Sequence, residues 1–300
     1  MIAVIGSSNT DFTIRTDRFP LPGETVLGRD FFISGGGKGA NQAAAIAKLG
    51  GEVSLISNIG LDHFGDERIR DLERFGVDTR FIRRDRLHNS GAAFILVDKS
   101  GRNQITVSPG SGSFLKLSDI LKGIACVKRS RVVLLQLEVP VEAVRAAVYL
   151  AKKFEKLIIL NPAPARKLSA EILSKVDILI PNEVELMMLA AGKASDTLGR
   201  ARFLLRSGIG CVIITQGKKG ALLVDRQGKR FFRAKEAKVV DTTCAGDAFC
   251  GAVALALDRG GSVDEAVEFA NCAAALTVRK LGAQCSLPTQ VEVRSLESSS

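Results

Sequence analysis

Short apolar runs alternate with amphipathic stretches along most of the chain. The apolar runs are bounded by turn residues, which is typical of strands buried on both faces of a parallel sheet. The predicted strands are Ile2–Gly6, Val53–Asn58, Arg131–Gln136, Lys156–Leu160, Ile178–Pro181 and Cys211–Thr215. The predicted helices between them are Ala40–Leu49, Gly65–Phe75, Val141–Lys153, Glu183–Ala191 and Thr197–Ser207. The pattern therefore predicts a three-layer α/β/α fold, in which helices cover both faces of a mostly parallel central sheet.

Two segments, at about 11–34 and 88–108, break this alternation. Polar and apolar residues alternate in both, and Gly/Pro turns interrupt them, so each is predicted to form a β-hairpin. Ordinary surface hairpins are one interpretation, but both segments flank the most suggestive chemistry. We therefore expect a small β-sheet lid on a single catalytic domain spanning residues 1–300. The polar tail at 292–300 ends in three serines and is expected to fray.

The composition excludes several classes of protein. Hydrophobic residues make up 46% of the 300 residues and charged residues 25%, which is the balance of a soluble globular chain. The apolar runs are strand-sized, so no membrane span is predicted, and Met1–Ile5 lacks the basic start of a signal peptide. Six cysteines include no Cys-x-x-Cys pair. Reduced cysteines and a cytoplasmic location are therefore expected, and a zinc site is not.

The net charge of 42 − 32 = +10 raises the possibility of nucleic-acid binding. The basic residues are scattered, however, and their densest clusters, at 80–86 and 128–131, are short. A solvated basic surface that attracts small anions is the better interpretation. We expect neither a nucleic-acid partner nor a membrane partner.

A glycine-rich segment, Gly35-Gly36-Gly37-Lys38-Gly39-Ala40-Asn41-Gln42, precedes a predicted helix. It is not a Walker A loop, because glycine and not Ser/Thr follows Lys38, and it is not a GxGxxG motif. Glycines let a backbone approach a ligand closely, and Lys38 and Asn41 carry hydrogen-bond donors. Taken alone, the segment is either a ligand loop or simply a turn.

A second segment, Asp241-Thr242-Thr243-Cys244-Ala245-Gly246-Asp247, opens a helix predicted to run to about Leu257. Small residues at 244–246 leave backbone N–H groups accessible at a helix N-terminus, where the dipole favours anions. Asp247 lies in the first turn. It either complements the helix dipole or acts as a general base beside the bound anion, and this segment alone does not decide between the two.

The two segments belong to a set of eight motifs that occur in one order. The others are 6–11 (GSSNTD), 22–25 (PGET), 137–138 (LE), 161–165 (NPAPA), 181–185 (PNEVE) and 282–284 (GAQ). With these motifs the chain resembles the ribokinase family of carbohydrate kinases from about Ile5 to Pro288. The resemblance implies a parallel sheet between helices, with a lid that interlocks with a second copy to form a homodimer. It also implies transfer of the γ-phosphoryl group of ATP to the 5-hydroxyl of D-ribose, in the presence of Mg²⁺ and K⁺.

The resemblance also assigns roles to particular residues. Asp247 matches the catalytic base, and the amides of Cys244, Ala245 and Gly246 match the anion hole. The sugar-binding positions are Asn9, Asp11, Gly37, Lys38, Asn41 and Glu138, and Asp247 is one of them as well. The nucleotide positions, together with Ala245 and Gly246, are Asn182, Thr215, Gly217 and Asn271. Asn182 and Glu185 match a magnesium motif that acts through water. The potassium positions are Asp241, Thr243, Thr277, Lys280, Gly282 and Ser286.

Three departures from the family pattern limit the transfer of roles. Cys244 stands where Gly or Ala is usual, Ser111-Gly112 replaces Ala-Asn, and Cys285 replaces Pro or Ser. None removes a group that the mechanism requires. The alternatives are a kinase of 2-deoxyribose, fructose, adenosine or another nucleoside, and a non-catalytic sugar or nucleotide sensor. Asn9, Asp11 and Lys38 favour ribose, and an intact Asp247 argues against the sensor.

Overall fold

The computed structural model describes residues 1–298, over which strands and helices alternate. The strands are β1 Ile2–Ile5, β2 Asn9–Thr16, β3 Gly28–Gly36, β4 Val53–Gly60, β5 Ile82–Asp85, β6 Gly91–Val97, β7 Asn103–Ser108, β8 Val132–Leu135, β9 Leu157–Leu160, β10 Ile178–Leu179, β11 Cys211–Thr215, β12 Gly220–Asp225 and β13 Gly228–Arg233. The helices are α1 Lys38–Lys48, α2 His63–Phe75, α3 Leu117–Lys122, α4 Ile124–Arg129, α5 Val141–Lys153, α6 Ala170–Leu173, α7 Glu183–Leu189, α8 Thr197–Arg206, α9 Ala245–Asp258, α10 Val263–Thr277 and α11 Gln290–Ser298.

A nine-stranded sheet forms the centre of the molecule, in the order β13-β12-β11-β10-β9-β8-β1-β4-β5. Every neighbouring pair from β11 to β5 is parallel, whereas β12 and β13 pair antiparallel at one edge. β1 is central, since Ile2 lies opposite both Val53 of β4 and Val132 of β8. The predicted mostly parallel sheet is confirmed.

Two apolar cores lie on opposite faces of this sheet, because successive strand residues point to opposite sides. Ile2 and Val4 of β1 pack against α1, α2, α9, α10 and α11, while Ala3 and Ile5 pack against the helices from α3 to α8. All four side chains are fully buried. The predicted three-layer arrangement is therefore confirmed.

A separate four-stranded sheet has the order β3-β2-β6-β7. The hairpins β2–β3 and β6–β7 are antiparallel and meet through the parallel pair β2–β6, which confirms the predicted hairpins and their joint sheet. Helix α2 supports it, since the rings of Phe64 and Phe12 meet edge to face at 5.2 Å. Because only three residues separate β1 from β2, and β3 runs almost directly into α1, the small sheet is anchored at the edge of the central one.

The end of the chain differs from the expectation. Residues 290–298 form α11, so the predicted frayed segment from Glu292 is wrong as far as residue 298. Val293 is fully buried, and Glu292 accepts a hydrogen bond from Lys280 Nζ at 2.6 Å and another from the backbone N–H of Thr289 at 2.7 Å. Burial of Val293, packing of Leu296 against the core and this cap hold the helix in place. Residues 299 and 300 lie outside the described residues.

No helix among residues 1–298 combines the length and the apolar character needed to cross a membrane.

Candidate active site

The polar residues singled out by the sequence follow the carboxyl ends of neighbouring parallel strands. Residues 6–9 follow β1, residues 136–138 follow β8, Asn161 follows β9 and Asn182 follows β10. Parallel strands bring these ends to one edge of the sheet, which is where ligands bind in open α/β folds. The N-termini of α1 and α9 meet the same edge, since Asn41 and Asp247 are in direct contact.

Asp247 is held by two side-chain amides. Asn41 Nδ2 donates to its Oδ2 at 3.0 Å, and Gln42 Nε2 donates to its Oδ1 at 3.0 Å. Helix α9 reaches α1 closely enough for these bonds because residue 251 is glycine: a Cβ there would lie 2.9 Å from the Cβ of Ala45. The carboxylate is buried, yet each oxygen keeps a lone pair for a further donor.

Gln42 extends this contact into a buried amide network. Gln136 Nε2 donates to Gln42 Oε1 at 2.6 Å, and Gln42 Nε2 also contacts Asn161 Oδ1 at 3.2 Å. Asn161 Nδ2 in turn donates to the carbonyl of Ile180 at 2.9 Å. Connected hydrogen bonds of this kind fix side-chain orientation more firmly than isolated ones, although Gln136 Oε1 has no partner within residues 1–298. Sequence reasoning assigned no role to Gln42, although a glutamine within a run of alanines on a buried helix face was an available signal.

Glu138 joins the start of α1 to the end of β8. Its Oε2 accepts a hydrogen bond from Ser7 Oγ and another from the backbone N–H of Lys38, at 2.8 Å for the latter. The Lys38 side chain is close to several carboxylates. The negative charge of Asp247, followed by those of Glu138 and Glu185, raises the pKa of Lys38 above its usual value, although burial opposes the shift. The ammonium group is therefore charged beside Asp247.

Asp11 and Asn9 carry buried acceptors on β2. Burial, followed by the charges of Glu138 and Asp247, raises the pKa of Asp11 to about 7. Its carboxyl group lies against Gly36, where a Cβ would come within 2.1 Å of Oδ1. The buried Oδ1 of Asn9 has no hydrogen-bond partner within residues 1–298. Buried acceptors without donors indicate a place for a ligand that carries hydroxyl groups.

The predicted anion hole lies at the first turn of α9. Cys244 is the N-cap with a φ of 66°, a left-handed conformation that costs a non-glycine residue roughly 1–2 kcal/mol. The amide of Ala245 makes a long bond of 3.3 Å to the carbonyl of Thr242, and a Cβ on Gly246 would meet no atom within 4 Å. Open space therefore lies beside Gly246 in this first turn. Burial, followed by the charge of Asp247, raises the pKa of the Cys244 thiol well above its usual value. This thiol is protonated and shielded, whereas Cys285 is exposed.

Asn182 and Glu185 form a capping box at the start of α7. Asn182 Oδ1 accepts from the Glu185 backbone N–H at 2.8 Å, and Glu185 Oε2 accepts from the Asn182 backbone N–H at 2.9 Å. The helix-cap interpretation of Asn182 is thereby confirmed. Burial raises the pKa of Glu185, and the hydrogen bond from the Asn182 backbone, followed by the positive charge of Lys38, opposes that shift. Thr215 pairs with Asn182 across neighbouring strands.

The remaining nucleotide positions lie further along the same edge. Gly217 begins a short 3₁₀ turn after β11 with a φ of 55°, and a Cβ there would meet open space. Asn271 Nδ2 donates to the carbonyls of Phe232 and Arg233, at 3.4 and 3.3 Å. A cavity of about 600 Å³ between β13 and α10 includes Asn271 in its lining. Asn271 therefore lies apart from the hydrogen-bonded set around Asp247.

The predicted potassium positions come from two segments that Asp241 ties together. Its Oδ1 accepts from the backbone N–H of Thr243, and its Oδ2 accepts from that of Gly282, both at 2.9 Å. The buried hydroxyls of Thr277 and Ser286 bind backbone carbonyls of their own segment. The Lys280 side chain turns away to Glu292. The groups left for a cation are carbonyl and carboxylate oxygens, which suit a hard cation.

Within residues 1–298, no set of three His, Cys, Asp or Glu side chains is arranged as a metal site.

Comparison with known proteins places these observations in a family. The signature of the pfkB family carbohydrate kinases matches residues 1–290. The chain is 41% identical to a ribokinase of Haemophilus influenzae over 295 residues, which covers 97% of this chain and 96% of that protein. It is 39% identical over 293 residues to a deoxyribokinase of Salmonella typhi, covering 96% and 95%. Among solved structures, Arabidopsis thaliana ribokinase complexed with ribose and ATP superposes with a TM-score of 0.89 at 30% identity, covering 98% and 97%.

Proposed function

The chain belongs to the pfkB family of carbohydrate kinases, and we propose that it is a ribokinase, which transfers the γ-phosphoryl group of ATP to the 5-hydroxyl of D-ribose. The observation that carries the proposal is the pair of amides that hold Asp247, close to the buried carboxyl group of Asp11 and on the edge that also carries the unpaired Asn9 Oδ1. Full-length similarity to ribokinases supports the same substrate.

The sugar binds between the small sheet and the N-terminus of α1. Asp11 and Asn9 accept hydroxyl protons, while Lys38 and Asn41 donate, so the hydroxyls of a pentose find both kinds of partner in fixed places. Glu138 positions this end of α1 through the Lys38 amide. Gly37 is the N-cap of α1, with a φ of 85°, and a Cβ there would lie 2.8 Å from the Asn9 backbone nitrogen. A glycine at 37 thus lets β2 and α1 meet.

Phosphoryl transfer then follows from the position of Asp247. Its carboxylate accepts the proton of the sugar hydroxyl as that oxygen forms a bond to the γ-phosphorus. The bond from the γ-phosphorus to the bridging oxygen of ADP breaks, and ADP leaves with the bonding electrons. The N-terminus of α9 and the Lys38 ammonium stabilise the negative charge on the transferring group.

Two cations and the nucleotide complete the proposal. Mg²⁺ would bind the ATP phosphates and reach Asn182 and Glu185 through water; when bound, it neutralises phosphate charge. Thr215 and Gly217 would adjoin the phosphates and ribose of ATP, and Asn271 would line the adenine pocket. K⁺ would bind backbone carbonyls of 241–243 and 277–286, where its charge supports the anion hole.

The six described cysteines form no disulfide, which supports a cytoplasmic location.

A second candidate substrate is 2-deoxyribose, because a deoxyribokinase is 39% identical to this chain. Ribose is favoured because a sugar that lacks one hydroxyl would leave a buried acceptor unpaired. Sites built to bind a hydroxyl discriminate strongly against the analogue without it.

The substrate is tested by measuring ADP release with MgATP and K⁺ over D-ribose, 2-deoxyribose, fructose, adenosine and a blank without sugar. We expect ribose to give the highest kcat/KM. A higher value for another sugar would overturn the choice of substrate but leave the family intact. ADP release no faster than the blank with every sugar would favour a sensor that binds without turnover.

The raised pKa of Asp11 predicts pH-dependent sugar binding. Above about pH 7 the free carboxyl group is ionised and accepts hydroxyl donors; below it a proton occupies the group. If the sugar binds the ionised carboxylate of Asp11 more tightly than the protonated form, its affinity falls as the pH falls. The loss is at most about tenfold per pH unit. Calorimetric titration of ribose without ATP, at pH 8.5 and pH 5.5, measures this. The Asp11→Asn variant should show a flatter profile, and an equally steep profile in that variant would contradict the assignment.

We further propose that the small sheet pairs with a second copy to form a homodimer. Exposed apolar side chains concentrate on it: Ile14, Phe31, Phe32, Ile33, Phe94, Ile105 and Val107. Phe31 and Phe94 are 58% and 57% exposed, and both rings stack beside Phe12. Apolar patches of this kind on a soluble protein mark association surfaces.

Sedimentation velocity tests the association. The natural chain should sediment as a dimer at micromolar concentration, and Phe94→Asp should shift it towards the monomer, because a charge would be buried between the sheets. A natural chain that is monomeric throughout would refute the homodimer.

A further inference from the structure

Gln284, in the loop after α10, sets the orientation of Asn41. An ionised carboxylate only accepts hydrogen bonds, so Asn41 must turn its amino group towards Asp247. The carbonyl oxygen of Asn41 then faces the opposite way, inside the protein, where it needs a donor. Gln284 Nε2 supplies that donor at 3.1 Å. The orientation of Asn41 is thus determined from both sides.

Gln284 is itself fixed on two sides. Its backbone carbonyl accepts a hydrogen bond from Lys48 Nζ at 3.2 Å, and its side chain is 4% exposed. The carboxamide lies across Gly35, where a Cβ would come within 2.4 Å of Oε1 and 2.9 Å of Cδ. The first glycine of the glycine-rich segment therefore makes room for Gln284, and not for a substrate.

The loop that carries Gln284 also reaches the other side of the α9 N-terminus. Gly282 donates its backbone N–H to Asp241, and Asp241 accepts from Thr243, the residue before Cys244. One loop is thus joined to the anion-hole segment through Asp241 and to Asp247 through Gln284 and Asn41.

We propose that Gln284 is a positioning residue for phosphoryl transfer, acting through Asn41 on Asp247 and on the bound sugar. It couples the conformation of residues 279–286 to the geometry of the base. That Asp247 serves phosphoryl transfer rests on the function proposed above. That Gln284 orients Asn41, and Asn41 contacts Asp247, rests on the hydrogen bonds. Gln284 lies behind Asn41 and touches no reacting atom.

Gln284→Glu is the sharpest test, because it preserves shape while an ionised carboxylate cannot donate to Asn41 Oδ1. We expect kcat/KM for ribose to fall about tenfold or more, the usual effect of leaving a buried acceptor unpaired. Ribose affinity, titrated calorimetrically without ATP, should fall as well, while KM for ATP stays within about twofold. Gln227→Glu, the same change in an exposed turn between β12 and β13, is the matched control and should match the natural chain.

A double-mutant cycle separates positioning from a general loss of structure. If Gln284 acts through Asn41, the effect of Gln284→Glu on ribose affinity should shrink to less than about twofold in an Asn41→Ala background. Equal losses in both backgrounds would overturn the proposal. Thermal melting of all variants identifies any that unfold.

Gly35→Ala gives a second, independent test, since its Cβ would displace the Gln284 carboxamide without changing any hydrogen-bonding group. It should lower ribose affinity in the same direction. If Gln284→Glu fails to fold, unchanged affinity in folded Gly35→Ala overturns the proposal. If the natural chain neither binds nor phosphorylates any of the sugars, the proposed function is wrong. The role of Gln284 is judged separately, from the difference between its variants and an active natural chain.

Discussion

The contact between the Asp247 carboxylate and the amides of Asn41 and Gln42 is the constraint on which the site depends. It joins the first turns of α1 and α9, two helices more than two hundred residues apart in the chain. A buried carboxylate needs donors, and amides supply them without adding charge. The two amides fix the orientation of the carboxylate, and the Lys38 ammonium faces it as well.

This contact explains several residues that are otherwise unremarkable. Gly251 lets α9 approach α1, Gly36 leaves room for the Asp11 carboxyl group, and Gly35 leaves room for Gln284. The glycine-rich segment therefore serves the approach of protein groups to one another. Lys38, within this segment, donates its backbone N–H to Glu138. Its ammonium group lies close to the carboxylates of Asp247 and Glu138. In the proposed function, substrate binding and positioning of the base share one set of elements, so changes at 35–42 should alter both together.

Periodicity was sufficient to predict the layers. Four- to six-residue apolar runs predicted β1, β4, β8, β9, β10 and β11, and the helix predicted at 141–153 matches α5 at both ends. Sequence reasoning also left out β12 and α10, although the apolar run of β12 and the length and Ser262 cap of α10 carried a signal. Other missed segments lack that signal. β5 is only four residues long and reads Ile-Arg-Arg-Asp, while β13 alternates exposed and half-buried positions at the sheet edge. α11 buries only Val293 fully and packs Leu296 against the core, and its other residues are mostly polar, so its docking on α10 could not be read from composition.

Motifs located the site better than they explained it. Asp247, Asn41, Lys38 and Glu138 were each predicted as site residues, and the structure places them in one cluster. The hydrogen bonds through Gln42 and Gln284 link residues 42, 136, 161 and 284, which no local pattern connects. Cys244 differs in another way. Cys244 stands where the sequence pattern favours Gly or Ala; burial keeps its thiol protonated, and its left-handed backbone is a conformation that glycine would adopt without strain.

The most direct test of this account is the turnover of Asp247→Asn, measured together with ribose and ATP binding by calorimetry. Replacing the carboxylate with an amide removes the proton acceptor and nearly preserves the shape. The account predicts that kcat falls by about 10²–10⁴-fold, the usual contribution of a positioned general base, while both ligands still bind to a protein that melts cooperatively. Turnover close to that of the natural chain would contradict the assignment of Asp247 as the base.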